Sequence, residues 1–397
     1  MKAVKTVFIT ITLLSFLIAG CVRDKKDELK PIVNDKNATA IELFNNKADY
    51  KLEDIKMSEF VDSVKFIILE ETDESIIKSI NKIIFTQEYI IAVDKELRSI
   101  FFFEWNGKYV KKIARTGQGP GEYLSMLSCM FDEQKQQFMI FDIFARKMLF
   151  YDIHGNLIRG ISEFSEKAVI RDIINLPDGN FLCYTYDGVG EVEEKYTGLW
   201  EVDADGKFLR NYFTYNVKIP VMHGGSPCFR QLPNGVVSLK DQIHNDIYHY
   251  NNGRVEKIIS YNIKDSKLPE LVNADVGMLK DKKNIMAFTV QEKGNYMITY
   301  WIVQPAQLMF SLFTKNNNKI RYWDAFYSYD ATIPGVLHIP IDSNRPDILV
   351  CGLSRDAIDE YLADPNLPEA ARNSLQILIP KIVESENPVL ELLYIKK

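Results

Sequence analysis

The feature that most constrains the fold of this chain is a repeat centred on a turn glycine. Apolar residues recur six positions before this glycine, two positions after it and six positions after it. The glycines follow one another at spacings of 48, 51 and 47 residues: Gly107, Gly155, Gly206 and Gly253. A period near fifty residues suits one four-stranded blade of a β-propeller better than any helical repeat.

A second repeating element is an apolar run before each turn, at 89–93, 138–141, 181–186, 236–239, 296–301 and 336–341. In the first unit the pattern predicts four strands, at 77–85, 89–93, 99–104 and 109–114. The strands are apolar on both faces, as expected when a blade is packed between two others. The sequence therefore predicts an all-β fold, a six-bladed β-propeller of four-stranded antiparallel blades.

The pattern changes near the C-terminus. Residues 355–384 have the apolar spacing of two helices, and residues 388–396 return to strand character. Residues 61–69, before the first unit, also resemble a strand. Because a closed ring needs its ends joined, we expect the two terminal strands to complete the sixth blade, with the helices as an insertion before the closing strand.

The N-terminus predicts export. Two lysines precede an apolar run over 7–18, which is too short to span a bilayer and is typical of a secretory signal. Ile18-Ala19-Gly20-Cys21 resembles the bacterial lipobox, so we expect a signal peptide over 1–20 and lipidation of Cys21. The alternative is an ordinary signal peptide with an incidental cysteine.

The rest of the N-terminal region predicts a flexible tether and a cellular location. The charged residues after Cys21 favour a lipid anchor and flexible tether over 21–58, which leaves 59–397 for the propeller. Lys26-Asp27-Glu28 resembles a surface-export signal of Bacteroides-type lipoproteins. We expect an outer-membrane lipoprotein, and the periplasmic and cell-surface faces both remain open.

Composition excludes some partners and cofactors. The net charge of −6 gives no basic face for nucleic acid. Four further cysteines lack any CxxC spacing and are expected to be small buried strand residues, with disulfides as the alternative: Cys129, Cys183, Cys228 and Cys351. Through the N-terminal lipid, the membrane is an expected partner.

The segment from Arg115 to Tyr123 reads RTGQGPGEY and resembles the RxGxGPGEY signature of six-bladed β-propeller lipoproteins of Bacteroides-type bacteria, an NHL-like family. The segments 61–70 and 387–390 support the resemblance, which spans nearly all of the mature chain. It implies the propeller fold but no particular activity. Asn316-Asn317-Asn318 replaces the glycine turn in the fifth unit, a departure from the repeat.

The glycine-proline loop is one candidate ligand site, through Arg115, Glu122 and Tyr123. It lacks the Lys-Ser/Thr ending of a nucleotide-binding loop and does not lead into a helix, which disfavours nucleotides. Its favoured interpretation is a shaped crossover between the first two blades, held by an Arg115–Glu122 pair. Direct ligand contact is the alternative.

A second candidate is a series of acids, each expected to end the second strand of its blade: Asp94, Asp142, Asp241 and Asp342. A ring of acids near a propeller channel would suit a cation. However, Arg98, Arg146 and Arg345 follow three of these acids by three or four residues and are placed to neutralise them. Aspartate also bonds its own turn backbone, and this structural role is favoured.

These patterns predict a binding protein rather than an enzyme. No GxSxG elbow, HExxH motif or nicotinamide fingerprint occurs in the chain. We therefore expect a non-enzymatic, lipid-tethered module that binds a glycan, peptide or partner protein, without a cofactor. The alternative is a metal-assisted hydrolase or lyase of the NHL or lactonase type, with calcium or zinc on the acid series. A purely structural envelope component is a third hypothesis.

Overall fold

The computed structural model of the protein describes residues 33–44, 47–164, 168–185, 193–214, 227–263, 285–303, 307–324, 330–382 and 385–397. The predicted signal peptide, Cys21 and the first part of the predicted tether lie outside these residues. Within the described ranges the chain is mostly β-strand, with two short α-helices.

In chain order the strands are β1 (Val33–Asn34), β2 (Thr39–Leu43), β3 (Val61–Ile68), β4 (Lys82–Phe85), β5 (Ile90–Asp94), β6 (Ser99–Phe103), β7 (Tyr109–Ala114), β8 (Ser128–Asp132), β9 (Gln137–Asp142), β10 (Lys147–Asp152), β11 (Leu157–Ile161), β12 (Asp172–Asn175) and β13 (Phe181–Thr185). They continue as β14 (Gly198–Val202), β15 (Phe208–Phe213), β16 (Phe229–Gln231), β17 (Val237–Lys240), β18 (Ile247–Asn251), β19 (Arg254–Ile263), β20 (Ile285–Lys293), β21 (Tyr296–Val303), β22 (Gln307–Thr314), β23 (Lys319–Asp324), β24 (Pro340–Ser343), β25 (Ile348–Leu353) and β26 (Val389–Ile395). The helices α1 (Arg355–Ala363) and α2 (Glu369–Leu378) connect β25 to β26.

Consecutive strands pair into four-stranded antiparallel groups. Three groups are separate sheets: β8 to β11, β12 to β15 and β20 to β23. The group β16 to β19 carries β1 and β2 as extra strands, both parallel to β19. The group β4 to β7 is joined to β24, β25, β26 and β3 by a two-residue parallel pairing of β4 with β24. The chain thus has the propeller-like all-β fold that the repeat predicts.

Glycine occupies these turns because the backbone there has a positive φ, a conformation that other residues rarely adopt. Gly107, between β6 and β7, has φ 92° and donates its N–H to the Glu104 carbonyl. A side chain here would also collide with the Ile68 backbone. Asn318, in the unit that lacks the glycine, has φ 51° and so substitutes for it, as asparagine tolerates this region.

The core lies between neighbouring sheets. Along β6, Phe101 and Phe103 pack towards β25 and β26, whereas Ile100 and Phe102 pack towards β9 and β10. All five residues of β6 are buried. Alternate side chains therefore serve two different interfaces, which is why the strand reads as a continuous apolar run.

The two ends of the chain meet in one sheet. Strand β3, near the N-terminus, pairs antiparallel with β26, near the C-terminus, over most of their length. This is the closure predicted for the terminal strands. Helix α1 begins at an N-cap, where the Ser354 hydroxyl accepts the Ala357 N–H at 3.2 Å. The helices bury Ile358 and Leu375 against β25 and β26 in one apolar cluster.

Three details differ from the sequence prediction. The run at 336–341 is not a second strand: the strand spans Pro340–Ser343 and is the first of its group, while Val336 is buried in the helix cluster. Within the predicted tether over 21–58, β1 and β2 pair with β19, so this part of the chain belongs to the folded unit that begins at Val33. The second α-helix ends at Leu378, before the predicted end of the helical region at 384, and a 3₁₀ turn follows at Ile379–Lys381.

The four cysteines are buried free thiols in the structure, as the favoured interpretation predicts: Cys129, Cys183, Cys228 and Cys351. Among the described residues, no helix combines the length and the apolar character that a bilayer span requires.

Candidate binding face and buried basic cluster

Asp94 ends β5 and fastens the turn that follows it. Its carboxylate, fully buried, accepts the N–H of Leu97 at 2.8 Å. The same carboxylate accepts the N–H groups of Lys78 and Ser79 at 2.8 and 2.9 Å, from the segment that leads into β4. One side chain thus ties together two loops at one end of the sheet.

Asp142 repeats this arrangement at the end of β9. Its carboxylate accepts the Phe144 and Ala145 N–H groups at 3.0 and 3.2 Å. It also accepts the Leu124 N–H and the Ser125 hydroxyl, both at 2.6 Å, from the segment before β8. The oxygens of this buried acid are therefore occupied by donors of the protein itself.

Asp241 follows β17 and adds a histidine and a tyrosine to the pattern. Its carboxylate accepts the Ile243 N–H at 2.8 Å and the Tyr184 hydroxyl at 2.7 Å. The His244 Nδ1 atom lies 2.9 Å from the second oxygen. This hydrogen bond with Asp241 raises the pKa of His244, whose side chain is half exposed.

The residue four positions after each of these acids is in the left-handed region, with φ 52° at Arg98, 49° at Arg146 and 62° at Asn245. The three turns therefore share one geometry, in which aspartate begins the turn and a left-handed residue ends it. Among the described residues no ion pair joins Asp94 to Arg98 or Asp142 to Arg146, so the predicted neutralising pairs are wrong. The spacing reflects the turn, and Arg98 donates instead to the Leu124 carbonyl at 3.4 Å.

The fourth acid does not belong to this set. Asp342 lies inside β24, the first strand of its group, rather than at the end of a second strand. Arg345 pairs with Asp347 through two hydrogen bonds of 2.8 and 2.7 Å, not with Asp342. The Asp342 carboxylate instead lies 3.1 Å from Nε of Arg230 and 3.9 Å from Nζ of Lys82.

The glycine-proline loop is held by backbone contacts. The Glu122 carboxylate accepts the Gly119 N–H at 2.9 Å, and the Arg115 guanidinium donates to the Gly155 carbonyl at 3.3 Å. The predicted Arg115–Glu122 pair is therefore absent from the ion pairs of the described residues. Tyr123 is fully buried, and its hydroxyl donates to the Arg98 carbonyl at 2.9 Å. The crossover from β7 to β8 is thus locked onto the turn that follows β5.

Three exposed side chains lie on the acid-pinned turns, and we call them the turn face: Leu97, Phe144 and His244. Phe144 is 78% exposed, the most of any large apolar side chain among the described residues, and Leu97 is 38% exposed. Each follows a fully hydrogen-bonded aspartate by two or three residues. An exposed phenylalanine on a pinned turn is an ordered apolar contact point.

Sequence reasoning missed a group of cations on or beside the first two strands of several groups. We call it the basic cluster: Lys82, Lys95, Arg230, Lys240 and Lys293. Arg230 connects three groups of strands, because its Nε lies 3.1 Å from Asp342 on β24 and its Nη2 donates to Thr289 on β20 at 3.1 Å. Lys82 approaches the same Asp342 from β4.

Two of the lysines are held by dipoles. Lys293 donates to the Arg345 carbonyl at 2.6 Å and to the Ser343 hydroxyl at 3.1 Å. Lys95 donates to the Leu127 carbonyl at 2.6 Å. Lys293 and Lys240 are only 3% and 2% exposed, and burial lowers the pKa of each to about 8. Burial lowers the pKa of Lys95 as well.

Among the described residues, two carboxylates lie next to the cations of the cluster. Asp342 is one, and the other is Asp172, which already accepts the N–H groups of Ile173, Cys228 and Phe229 at 2.9, 2.7 and 3.0 Å. Two further acids are in electrostatic range, but Asp241 pairs with His244 and Asp347 with Arg345.

Gln291 adds an unsatisfied polar group to the same place. It lies on β20 between Thr289 and Lys293, and alternate residues of a regular strand share a face. Its side chain is fully buried, and neither its amide nitrogen nor its amide oxygen has a hydrogen-bond partner in the part of the chain that is described. Nowhere in that part do three or more His, Cys, Asp or Glu side chains gather as metal ligands do.

The chain matches one protein family and is similar in structure to solved proteins. The profile of a domain of unknown function, DUF4934, matches residues 40–394. A protein of Bacteroides fragilis NCTC 9343 that is described as exported superposes with a TM-score of 0.75 at 18% identity, over 90% of this chain and 100% of that one. A member of the DUF4221 family from Bacteroides vulgatus ATCC 8482 gives 0.50 at 12% identity, over 85% and 97%. No curated protein matches the chain. At these identities the structural similarity establishes the fold alone.

Proposed function

This chain belongs to the DUF4934 family, and we propose that it is an exported six-bladed β-propeller that acts as a non-enzymatic binding module. The strand pairing supports a count of six blades, because the groups that begin at β4, β8, β12, β16, β20 and β24 each supply four strands. The last group borrows β3 from the N-terminal region, the device by which propellers close.

The address of the protein is part of the proposal. The apolar signal and Cys21 support cleavage and lipidation, which would hold the propeller at the outer membrane on its periplasmic or cell-surface side. The Bacteroides fragilis protein with the same fold is described as exported, which agrees with this address.

The turn face carries the binding proposal. Asp94, Asp142 and Asp241 are consumed by backbone and neighbouring hydrogen bonds, so they hold the turns rather than contact a ligand. Phe144 and Leu97 project from these turns with much of their surface exposed. A rigid platform with an exposed aromatic group loses little entropy on binding. It suits a glycan, a peptide or a partner protein.

The metal-assisted alternative is not favoured. It needs free carboxylate oxygens on the acid series, and those of Asp142 accept four hydrogen bonds from the protein. Asp342 faces Arg230 and Lys82 rather than an open site. A divalent cation would have to displace these partners.

The test is a ligand screen with the mature chain carrying Cys21→Ala, so that it is soluble without lipid. Hits from a glycan and peptide array are titrated against Phe144→Ala and against Leu209→Ala, a control whose side chain is 40% exposed on β15. We expect Phe144→Ala to weaken binding about tenfold, the equivalent of about 1.4 kcal/mol, and Leu209→Ala to leave it unchanged. The proposal is contradicted if a ligand binds the Phe144→Ala and Leu97→Ala variants as tightly as it binds the parent. Turnover of that ligand would also contradict it.

A further inference from the structure

A cavity of about 700 Å³ lies where three segments of the chain meet. The segments are residues 68–71 at the end of β3, residues 106–108 in the β6–β7 turn, and the stretch after α2 that includes Lys381 and Ser385. A volume of this size is within the usual range of small-molecule sites, roughly 300–1,000 Å³. None of the described residues that line it belongs to the turn face or to the basic cluster. The cavity is therefore a separate candidate site.

The Gly107 turn explains why there is room here. At the corresponding turn between β10 and β11, the Gly155 carbonyl accepts the Arg115 guanidinium at 3.3 Å, so a long side chain covers the turn. The Gly107 carbonyl instead accepts the backbone N–H of Glu70 at 2.9 Å. A backbone donor occupies less space than an arginine side chain, which leaves an opening beside the turn.

The acidic part of the lining is held by hydrogen bonds that use one oxygen of each carboxylate. Oε2 of Glu71 accepts the N–H groups of Glu386 and Asn387 at 2.6 and 2.9 Å. Oε2 of Glu70 accepts the Tyr109 N–H at 2.7 Å. Within the described ranges, the second oxygen of each side chain has no hydrogen-bond donor and no ion-pair partner. Two ordered carboxylates thus each keep one oxygen available to a ligand.

Two lysines line the same cavity without pairing with these acids. Lys108 follows the glycine of the β6–β7 turn, and Lys381 ends the 3₁₀ turn after α2. In the part of the chain that the structure describes, neither ammonium group has a hydrogen bond or an ion pair. A lining that holds separate positive and negative groups is complementary to a ligand that carries both charges.

We propose that this cavity binds a small zwitterion, a molecule with an ammonium group and a carboxylate, as a free amino acid or a short peptide provides. The ligand ammonium donates to the open oxygens of Glu70 and Glu71. The ligand carboxylate accepts hydrogen bonds from Lys108 and Lys381. A sugar acid satisfies the lysines but places its negative charge in the same cavity as two glutamates, which is unfavourable.

Isothermal titration of the mature Cys21→Ala chain at pH 7 and low salt tests the site. The probes are L-alanine, L-alanyl-L-alanine, the N-acetyl form of this dipeptide, its C-terminal amide, and D-glucuronate. We expect one-to-one binding of alanine or the dipeptide and at least tenfold weaker binding of each blocked dipeptide. Whichever of alanine and the dipeptide binds more tightly identifies the source of the zwitterion. The proposal is overturned if neither binds at millimolar concentration, if the blocked forms bind equally well, or if D-glucuronate binds more tightly than both.

Variants locate the site and assign its two halves. Glu71→Gln keeps an oxygen for the Glu386 and Asn387 N–H groups but removes the charge, so it should lower the affinity for the zwitterion at least tenfold and end the discrimination against the N-acetyl form. Lys381→Met should lower the affinity equally and end the discrimination against the amide.

The matched control is Lys112→Met, at an exposed lysine of β7 outside the cavity, and it should leave the affinity unchanged. Phe144→Ala should also leave it unchanged, because Phe144 lies on the turn face. If Glu71→Gln or Lys381→Met does not fold, Lys108→Met at the exposed turn carries the same expectation as Lys381→Met. Parent-like affinity in the folded cavity variants would refute the site.

Discussion

The acid-pinned turns and the basic cluster both contain buried charged groups, but the two regions differ in how many hydrogen-bond partners surround each charge. At the turns, Asp142 gathers four donors of 2.6 to 3.2 Å. In the cluster, Lys293 is equally buried and donates to one carbonyl and one hydroxyl. The carboxylate is therefore held by a full set of close donors, whereas the ammonium is held by two neutral oxygen atoms, with Asp342 and Asp347 acting on it only through electrostatics.

Replacing a pinning acid gives the largest expected effect. Asp142→Ala leaves the N–H groups of Leu124, Phe144 and Ala145 without their acceptor, and we expect it to lower the free energy of unfolding by about 2–4 kcal/mol. Asp178→Ala is the control, because Asp178 is exposed in a similar turn and should cost less than about 1 kcal/mol. Urea denaturation measures both. Equal losses in the two variants would show that the turn geometry, not the buried acid, sets the stability.

Glu391 extends the comparison because it is a buried acid with an incomplete set of hydrogen bonds. One carboxylate oxygen accepts the Val336 N–H at 2.7 Å, and the other has no partner within the described ranges. Burial raises the pKa of Glu391 to about 8. The unfolded chain loses this proton near its ordinary pKa of 4.5, so stability falls as the pH rises from 4.5 to about 8 and then levels off.

Glu391→Gln is expected to abolish that dependence. At pH 5 the variant and the parent should melt within about 1 °C of each other, and at pH 8 the variant should melt about 2–5 °C higher. Differential scanning calorimetry at pH 5, 6.5 and 8 makes the measurement. Parallel curves for the two proteins would mean that Glu391 stays neutral, or stays ionised, throughout the range.

The cluster lysines should behave in the opposite sense. The pKa of Lys293 is lowered to about 8 by burial, with Asp342 and Asp347 opposing the shift and Arg230 and Arg345 adding to it. Because the unfolded lysine keeps its proton to about pH 10.5, stability contributed here rises from about pH 8 to 10.5. Lys293→Met should flatten that rise. Urea denaturation between pH 7 and 10.5 makes the measurement. Parallel pH profiles in parent and variant would mean that Lys293 does not cause the rise.

Much of the fold was predictable because its determinants are local. The turn at Gly107 requires a φ of 92°, which favours glycine. Because β6 is buried on both faces, its sequence is a continuous apolar run. The exception is the run at 336–341, which predicts a second strand. Its apolar residues instead join different clusters, Val336 packing with the helices and Leu337 in another core cluster, and periodicity does not reveal such tertiary contacts.

The candidate site was predictable only in part. The positions of Asp94, Asp142 and Asp241 follow from the repeat, but their donors come from neighbouring loops and from Tyr184, far away in the chain. The basic cluster was missed because each strand contributes one cation and only sheet packing unites them. A lysine that ends an apolar strand, as Lys240 does, is the one local signal, since lysine is rarely buried without a partner.

The smallest expected change in stability is at Phe144, and it separates the turn face from the core. With 78% of its side chain exposed, Phe144→Ala should alter the free energy of unfolding by less than about 0.5 kcal/mol. Phe138→Ala is the matched control, because Phe138 is fully buried in the same sheet and should cost about 3–5 kcal/mol. Urea denaturation of both variants decides the point. If Phe144→Ala is destabilised like Phe138→Ala, the exposed ring supports the turn itself, and Asp142 then stabilises a structural contact rather than a surface held ready for a ligand.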